Sequence, residues 1–248
     1  MSEETGLPAS FELAWGVRAR PTKGPKRALS LERVVAAGVA VAAADGIGAV
    51  SMSRVAKELG ASAMSLYRYV ASKDELLALM VDAALGDIPE ISTADGWRAG
   101  LEKWAWAEIA AYRRNLWVLQ VPVSGPPVTP NQIAFLDQGL RCLAGTPLEP
   151  YEKLAVILTL TSYTRSWAML SSQIDTAVKA GDQTAIEALT NYGTILRSVT
   201  DPAAFPALHE VLAAGVFDDA DEEEPDQDFV FGLARLMDGF EVLIRSRG

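Results

Sequence analysis

Apolar side chains recur every three or four positions along most of the chain, and strict two-residue alternation never persists. Val34, Val35, Gly38, Val41 and Ala42 share one face of a segment opened by Ser30, whose hydroxyl suits a helix N-cap. The spacing predicts a helix from Leu31 to about Ala44, ended by Asp45-Gly46. Ser51 opens a second helix, Met52 to Leu59, with Val55, Ala56 and Leu59 inward. Gly60 permits a sharp turn, and Ser62 is placed to cap a third helix, Ala63 to Val70. Ser72 and Glu75 form a capping box for a fourth, running from Lys73 to about Leu85. Further helices are predicted over Trp97–Arg114, Asn131–Ala144, Tyr151–Ala180, Gln183–Ser198 and Phe229–Arg247. "PVSGPPVTP" (122–130) and the acidic "DDADEEEPDQD" (218–228) read as loops, and the first seventeen residues as frayed. The fold class is all-α.

The short third helix carries the sharpest signal. At 100° per residue Leu66 and Val70 lie together, facing a core with Val35 and Val55, while Met64 and Arg68 point the opposite way. A helix, a glycine turn and a second helix with an outward polar and aromatic side is a helix-turn-helix. Set across a major groove, Arg68 would donate two hydrogen bonds to guanine, and Met64 and Ala63 would touch a thymine methyl. Tyr67 and Ser65 suit phosphate oxygens, and Lys73 sits where a helix start also favours a phosphate.

Charge supports that placement. The whole chain carries −10, yet residues 18–73 hold ten Lys and Arg against three Asp and Glu. From Gly86 onward twelve basic residues face twenty-three acidic ones. A basic tip on an acidic body concentrates attraction to a polyanion at one end. "RARPTKGPKR" (18–27) reads as an extended basic arm.

Composition bounds the rest. At 248 residues and 50% hydrophobic content, one or two domains with a real core are expected. A lone cysteine, Cys142, no secretory signal and no uncharged apolar run longer than eleven residues lead to the expectation of a cytoplasmic protein off the membrane. One histidine and one cysteine cannot furnish most catalytic or metal constellations. An enzyme is not expected, nor a metal or cofactor.

"SMSRVAKELGASAMSLYRYVASKDELLALMVDA" (51–83) resembles the DNA-binding domain of the TetR family of bacterial repressors. The run L-G-x-S-x-x-x-L-Y-x-[HY]-[FV]-x-x-K-[DE]-x-L is matched from Leu59 through Leu76. "LAWGVRARPTKGPKRALSLERVVAAGVAVA" (13–42), "SGPP" (124–127) and "LTSYTRSW" (160–167) are similar to an actinobacterial subgroup with a tetracycline-repressor-like carboxy-terminal domain. The resemblance implies a three-helix DNA-binding domain at 29–86 behind an arm at 1–28, joined through the fourth helix to an effector-binding and dimerisation domain at 87–248. It also implies base or backbone contacts by Ser53, Ala63, Met64, Ser65, Tyr67, Tyr69 and Lys73; Arg54, Ser62 and Arg68 complete the candidate DNA-binding set. Members pair as homodimers, here through the helices near 151–180 and 229–247, bind a palindromic operator, and release it when a small molecule binds. A repressor of this kind is therefore expected; the alternatives are an activator or an effector-independent DNA-binding protein.

Residues 97–198 are rich in large aromatics, which points to an apolar or aromatic effector. Trp104, Trp117, Asn131, Phe135, Gln138, Tyr163 and Trp167 are the candidate pocket residues. The tetracycline repressor holds its drug through a histidine-bound magnesium. The single histidine here, His209, lies far along the chain from these helices, so a metal-chelated tetracycline is not expected.

Overall fold

A computed structural model describes residues 6–17, 29–86, 88–123, 125–179, 191–217 and 226–248. The basic arm at 18–27, most of the acidic loop and the first part of the helix expected from Gln183 lie outside them. The described residues form helices and turns without a strand: α1 (Ala9–Ala14), α2 (Leu31–Asp45), α3 (Met52–Glu58), α4 (Ala63–Leu66), α5 (Lys73–Leu85), α6 (Gly96–Arg114) and α7 (Pro130–Cys142) come first. Then follow α8 (Pro150–Lys179), α9 (Tyr192–Val199), α10 (Pro206–Ala213) and α11 (Gln227–Arg247). The chain divides into two compact units, Met1–Ala168 with Ile244–Gly248, and Met169–Leu243.

In the first unit α2 packs along α5, and α3 and α4 pack on each other. Gly38 lets α2 sit close against α5, because a Cβ there would lie 2.7 Å from the Met80 sulfur. Val34, Val50, Val55, Leu66, Val70, Leu76 and Met80 fill the shared core. Further along, α6 packs on α7, and α7 in turn on α5. Gly139 of α7 admits Trp104 of α6, whose Nε1 would stand 3.0 Å from an added Cβ.

Two expectations need correction. The amino-terminal stretch is not wholly frayed: Ala9–Ala14 is helical, with Phe11 8% exposed and Ser10 buried. Tertiary contacts that no local pattern encodes hold it there. The third helix has a regular part of only four residues and continues as turns through Tyr67–Tyr69, with Tyr69 N–H donating to the Leu66 carbonyl. Its N-cap Ser62 makes no capping bond; its hydroxyl pairs with that of Ser65 at 2.8 Å.

In the second unit, α10 begins at Pro206, where a missing N–H costs nothing. The His209 Nε2 lies 2.9 Å from the Thr200 hydroxyl, so this histidine is satisfied within the protein. Tyr192 and Phe217 meet edge to face at 5.2 Å, and Arg197 donates to the Leu212 carbonyl.

Candidate functional site

Three serine caps place the short helices of the amino-terminal head. Ser30, Ser51 and Ser72 accept from the N–H groups of Arg33, Arg54 and Glu75 at 3.1–3.2 Å. Glu75 reaches back to the Ala71 N–H at 2.9 Å, one residue earlier than a capping box requires. Gly60 turns the chain at φ +63°, a conformation a side chain would strain.

The outcome is a two-sided tip. Leu66 is 0% exposed and Val70 fully covered, whereas Met64 is 74% and Tyr67 46% exposed. Arg68, Ser53 and Lys73 are exposed as well. Among the described residues no hydrogen bond or ion pair engages Arg68 or Lys73. Two cations held in water beside an exposed methionine and tyrosine form a surface suited to an external anion.

Two other candidates are engaged inside the chain. Arg54 donates to Asp45 at 2.9 Å and to Glu58 at 3.1 Å. The Tyr69 hydroxyl donates to the Leu29 carbonyl at 3.1 Å, tying the start of α2 to the tip.

The head is joined to the helices behind it through a buried carboxylate. Asp82 of α5 accepts from the N–H groups of Asn131 and Gln132 at 2.9 and 3.0 Å, and the Asn131 amide donates to the Asp82 carbonyl. The N-cap residue of α7, Thr129, makes no capping bond, so Asp82 caps that helix from another element. Asp82→Ala should cost about 2 kcal/mol in urea unfolding, since two helix-start amides lose their acceptor, and Asp82→Asn should cost less.

The aromatic core behind the head is tightly engaged. Trp104 and Phe135 stack with ring centres 4.4 Å apart, and the Trp104 indole donates to the Phe135 carbonyl. Gln138 accepts from the Ile91 N–H. The Arg113 guanidinium lies over Trp167 at 5.5 Å, and Tyr163 is half-buried. Trp117 is buried, and among the described residues its indole N–H has no partner. Cys142 is buried too, its thiol pushed up by desolvation, as a small core residue should be.

Glu108 of α6 is the centre of a polar cluster. It is 4% exposed and accepts from the hydroxyls of Tyr112 and Thr164. Burial pushes its carboxyl up to about 7, against the opposing effect of those hydroxyls and of Arg165. Arg165 lies over the Tyr112 ring and donates to the carbonyls of Val118, Leu119 and Val121. The signal was one acid inside the apolar stripe Leu101, Trp104, Ala105, Ile109 and Tyr112.

A cleft of about 640 Å3 opens elsewhere, between α1, α2, α5 and the start of α7. Asn131 is the one predicted pocket residue on its wall; Leu13, Trp15, Leu31, Val35 and Leu79 supply its apolar side.

A helix-turn-helix head joined by one helix to a larger helical body is the build of a bacterial transcriptional regulator. Residues 34–80 match the bacterial regulatory proteins of the tetR family, and residues 89–244 match the tetracyclin repressor-like C-terminal domain. The chain belongs to the TetR family, whose members regulate transcription and are not enzymes. The HTH-type transcriptional repressor DrrR1 of Streptomyces coeruleorubidus is 37% identical over 248 residues, spanning 96% of this chain and 87% of that protein. Streptomyces coelicolor ActR in complex with actinorhodin shares the fold at a TM-score of 0.70 and 22% identity, over 88% of this chain and 98% of that one. BioQ of Mycobacterium smegmatis, solved with its double-stranded DNA operator, shares it at 0.52 and 22% identity, over 64% of this chain and 96% of that one. No described helix is long and apolar enough to cross a membrane.

Proposed function

We propose that this protein is a cytoplasmic, ligand-responsive transcriptional repressor that binds a palindromic operator as a homodimer and leaves it when a small molecule binds. Residues 29–86 read the DNA and residues 87–248 sense the effector and pair the subunits. The observation that carries this reading is the two-sided tip: Leu66 and Val70 are buried while Met64, Tyr67 and Arg68 face solvent. Met64, Ala63, Arg68 and Ser53 address base edges; Tyr67, Ser65 and Lys73 address the backbone. The resemblance to a repressor and to an operator-bound regulator supports the same assignment.

Pairing is supported by apolar side chains left in solvent on the two helices the family resemblance points to. On α8 these are Tyr151, Leu154 and Leu158, at three- and four-residue spacing; on α11 they are Phe231 and Val242. The effector is apolar or aromatic with a few polar groups. The Trp117 N–H and the Glu108–Thr164 cluster are the polar contacts the core offers it. Actinorhodin, bound in the similar ActR, is the first compound to try.

Gel-shift titration of the purified chain against DNA flanking its own gene, with sedimentation of the protein alone, tests the proposal. A dimer with one preferred fragment is expected; a monomer, or equal affinity for all fragments at moderate salt, would contradict it. Lys73→Ala and Tyr67→Phe should each weaken binding about five- to tenfold on every sequence. Lys73→Ala should also flatten the salt dependence by about one ion.

A further inference from the structure

The helix α1 precedes the region matched by the family, which begins at residue 34, and its contacts span the molecule's most important joint. At its front the Ser10 hydroxyl donates to Glu75 Oε2 at 2.7 Å, beneath a buried Phe11. That same Glu75 oxygen holds the Ala71 N–H, between the recognition turn and Lys73. Just past its other end, the Trp15 indole donates to the Val128 carbonyl at 2.8 Å. Val128 lies two residues ahead of α7, whose first amides are held by Asp82.

Glu75 and Asp82 are seven residues apart on α5, roughly 10 Å, and Ser10 and Trp15 are five apart, roughly 7.5 Å. Ser10 meets the start of α5, and Trp15 meets the segment before α7, the helix whose first amides Asp82 of α5 also holds. The cleft of about 640 Å3 lies between α1, α2, α5 and the start of α7, walled by Leu13, Trp15, Leu31 and Leu79. α1 rests on α2 with Phe11 buried, and its two side-chain bonds reach beyond that contact to α5 and to the segment before α7.

We propose that α1 is a positioning strut: it reports the placement of the 126–130 segment, through Trp15, to the recognition turn, through Ser10 and Glu75. A shift at the head of α7 then reaches the DNA-facing turn by two routes, Asp82 directly and α1 in parallel. Net, the neutral Trp15 bond is worth about fivefold in an equilibrium, and the charge-assisted Ser10 bond roughly ten- to hundredfold. The weaker end limits the route to about fivefold per subunit. The inference rests on the DNA-reading assignment above, since it is the reader that α1 positions.

Hydrogen exchange on the full-length protein and its Trp15→Phe and Ser10→Ala variants tests it. Trp15→Phe keeps the ring and loses only the donor. It should speed exchange about three- to fivefold at residues 71–77, the far end, with residues 153–165 of α8 unchanged. Ser10→Ala should speed exchange at 128–134. Changes confined to the mutated end, or equal acceleration at 71–77 and 153–165, would overturn the strut, because Trp15 would then hold only its own surroundings or the whole fold. A wild-type protein without DNA site preference would sink the functional reading and leave the exchange result standing; intact DNA reading without a response at 71–77 would sink the strut alone.

Discussion

Leu66→Ala is expected to destabilise the protein by about 3 kcal/mol and to abolish operator binding at 37 °C. Leu66 is wholly buried at the end of the short helix α4, which has four regular residues and too few internal hydrogen bonds to stand alone. Its packing in the core that Val55 and Val70 also line is what orients the tip. Removing three side-chain carbons, Cγ and its two methyls, leaves a cavity that an α4 this short can relax only by changing angle. Met64→Ala is the control, because a side chain 74% exposed on the opposite face should change stability by less than about 0.5 kcal/mol. Urea unfolding of both variants checks this. Equal stability losses would mean the head is not oriented by its inner face.

The second large effect concerns Glu108 and pH. Its carboxyl titrates near 4.5 when unfolded and is pushed up to about 7 when folded, burial being the dominant cause. Between those values the folded protein keeps a proton that the unfolded chain has released, so stability falls as pH rises and levels off above about 7. The gap corresponds to about 3 kcal/mol at ~1.4 kcal/mol per pH unit, of which roughly 2 kcal/mol should be lost between pH 5.5 and 8. Glu108→Gln, the shape of the protonated acid, should remove that slope and be the more stable protein at pH 8. A slope that persists in Glu108→Gln would assign the proton to another group.

These two sites differ in how far the sequence announced them. The two-sided tip was legible because its determinants are local: serine caps at 30, 51 and 72, a glycine at the turn, and four-residue periodicity that separates Leu66 from Met64. The all-α class and the long α8 and α11 followed from the same periodicity, within two residues at each end. What stayed hidden depends on contacts between distant segments. The Ser10–Glu75 bond joins residues 65 apart, and that is why a six-residue helix survives where the local pattern reads as frayed. Arg54 and Tyr69 were candidate DNA contacts; Arg54 is held by Asp45 and Glu58, and Tyr69 spends its hydroxyl on Leu29. Glu108 was visible only as an acid in an apolar stripe, and its partner Thr164 arrives from α8, 56 residues on. Aromatic richness was read as an effector pocket, and could not say that Trp104 and Phe135 would stack on each other.

Selection of bound sequences from a random duplex pool, with the wild-type protein and with Arg68→Ala, tests the central claim most directly. Two inverted half-sites one helical turn apart, about 34–36 Å, are expected for the wild type. In Arg68→Ala the guanine preference should relax at one position in each half-site while the spacing stays. Identical preferences for the two proteins, or enrichment without paired half-sites, would contradict the account.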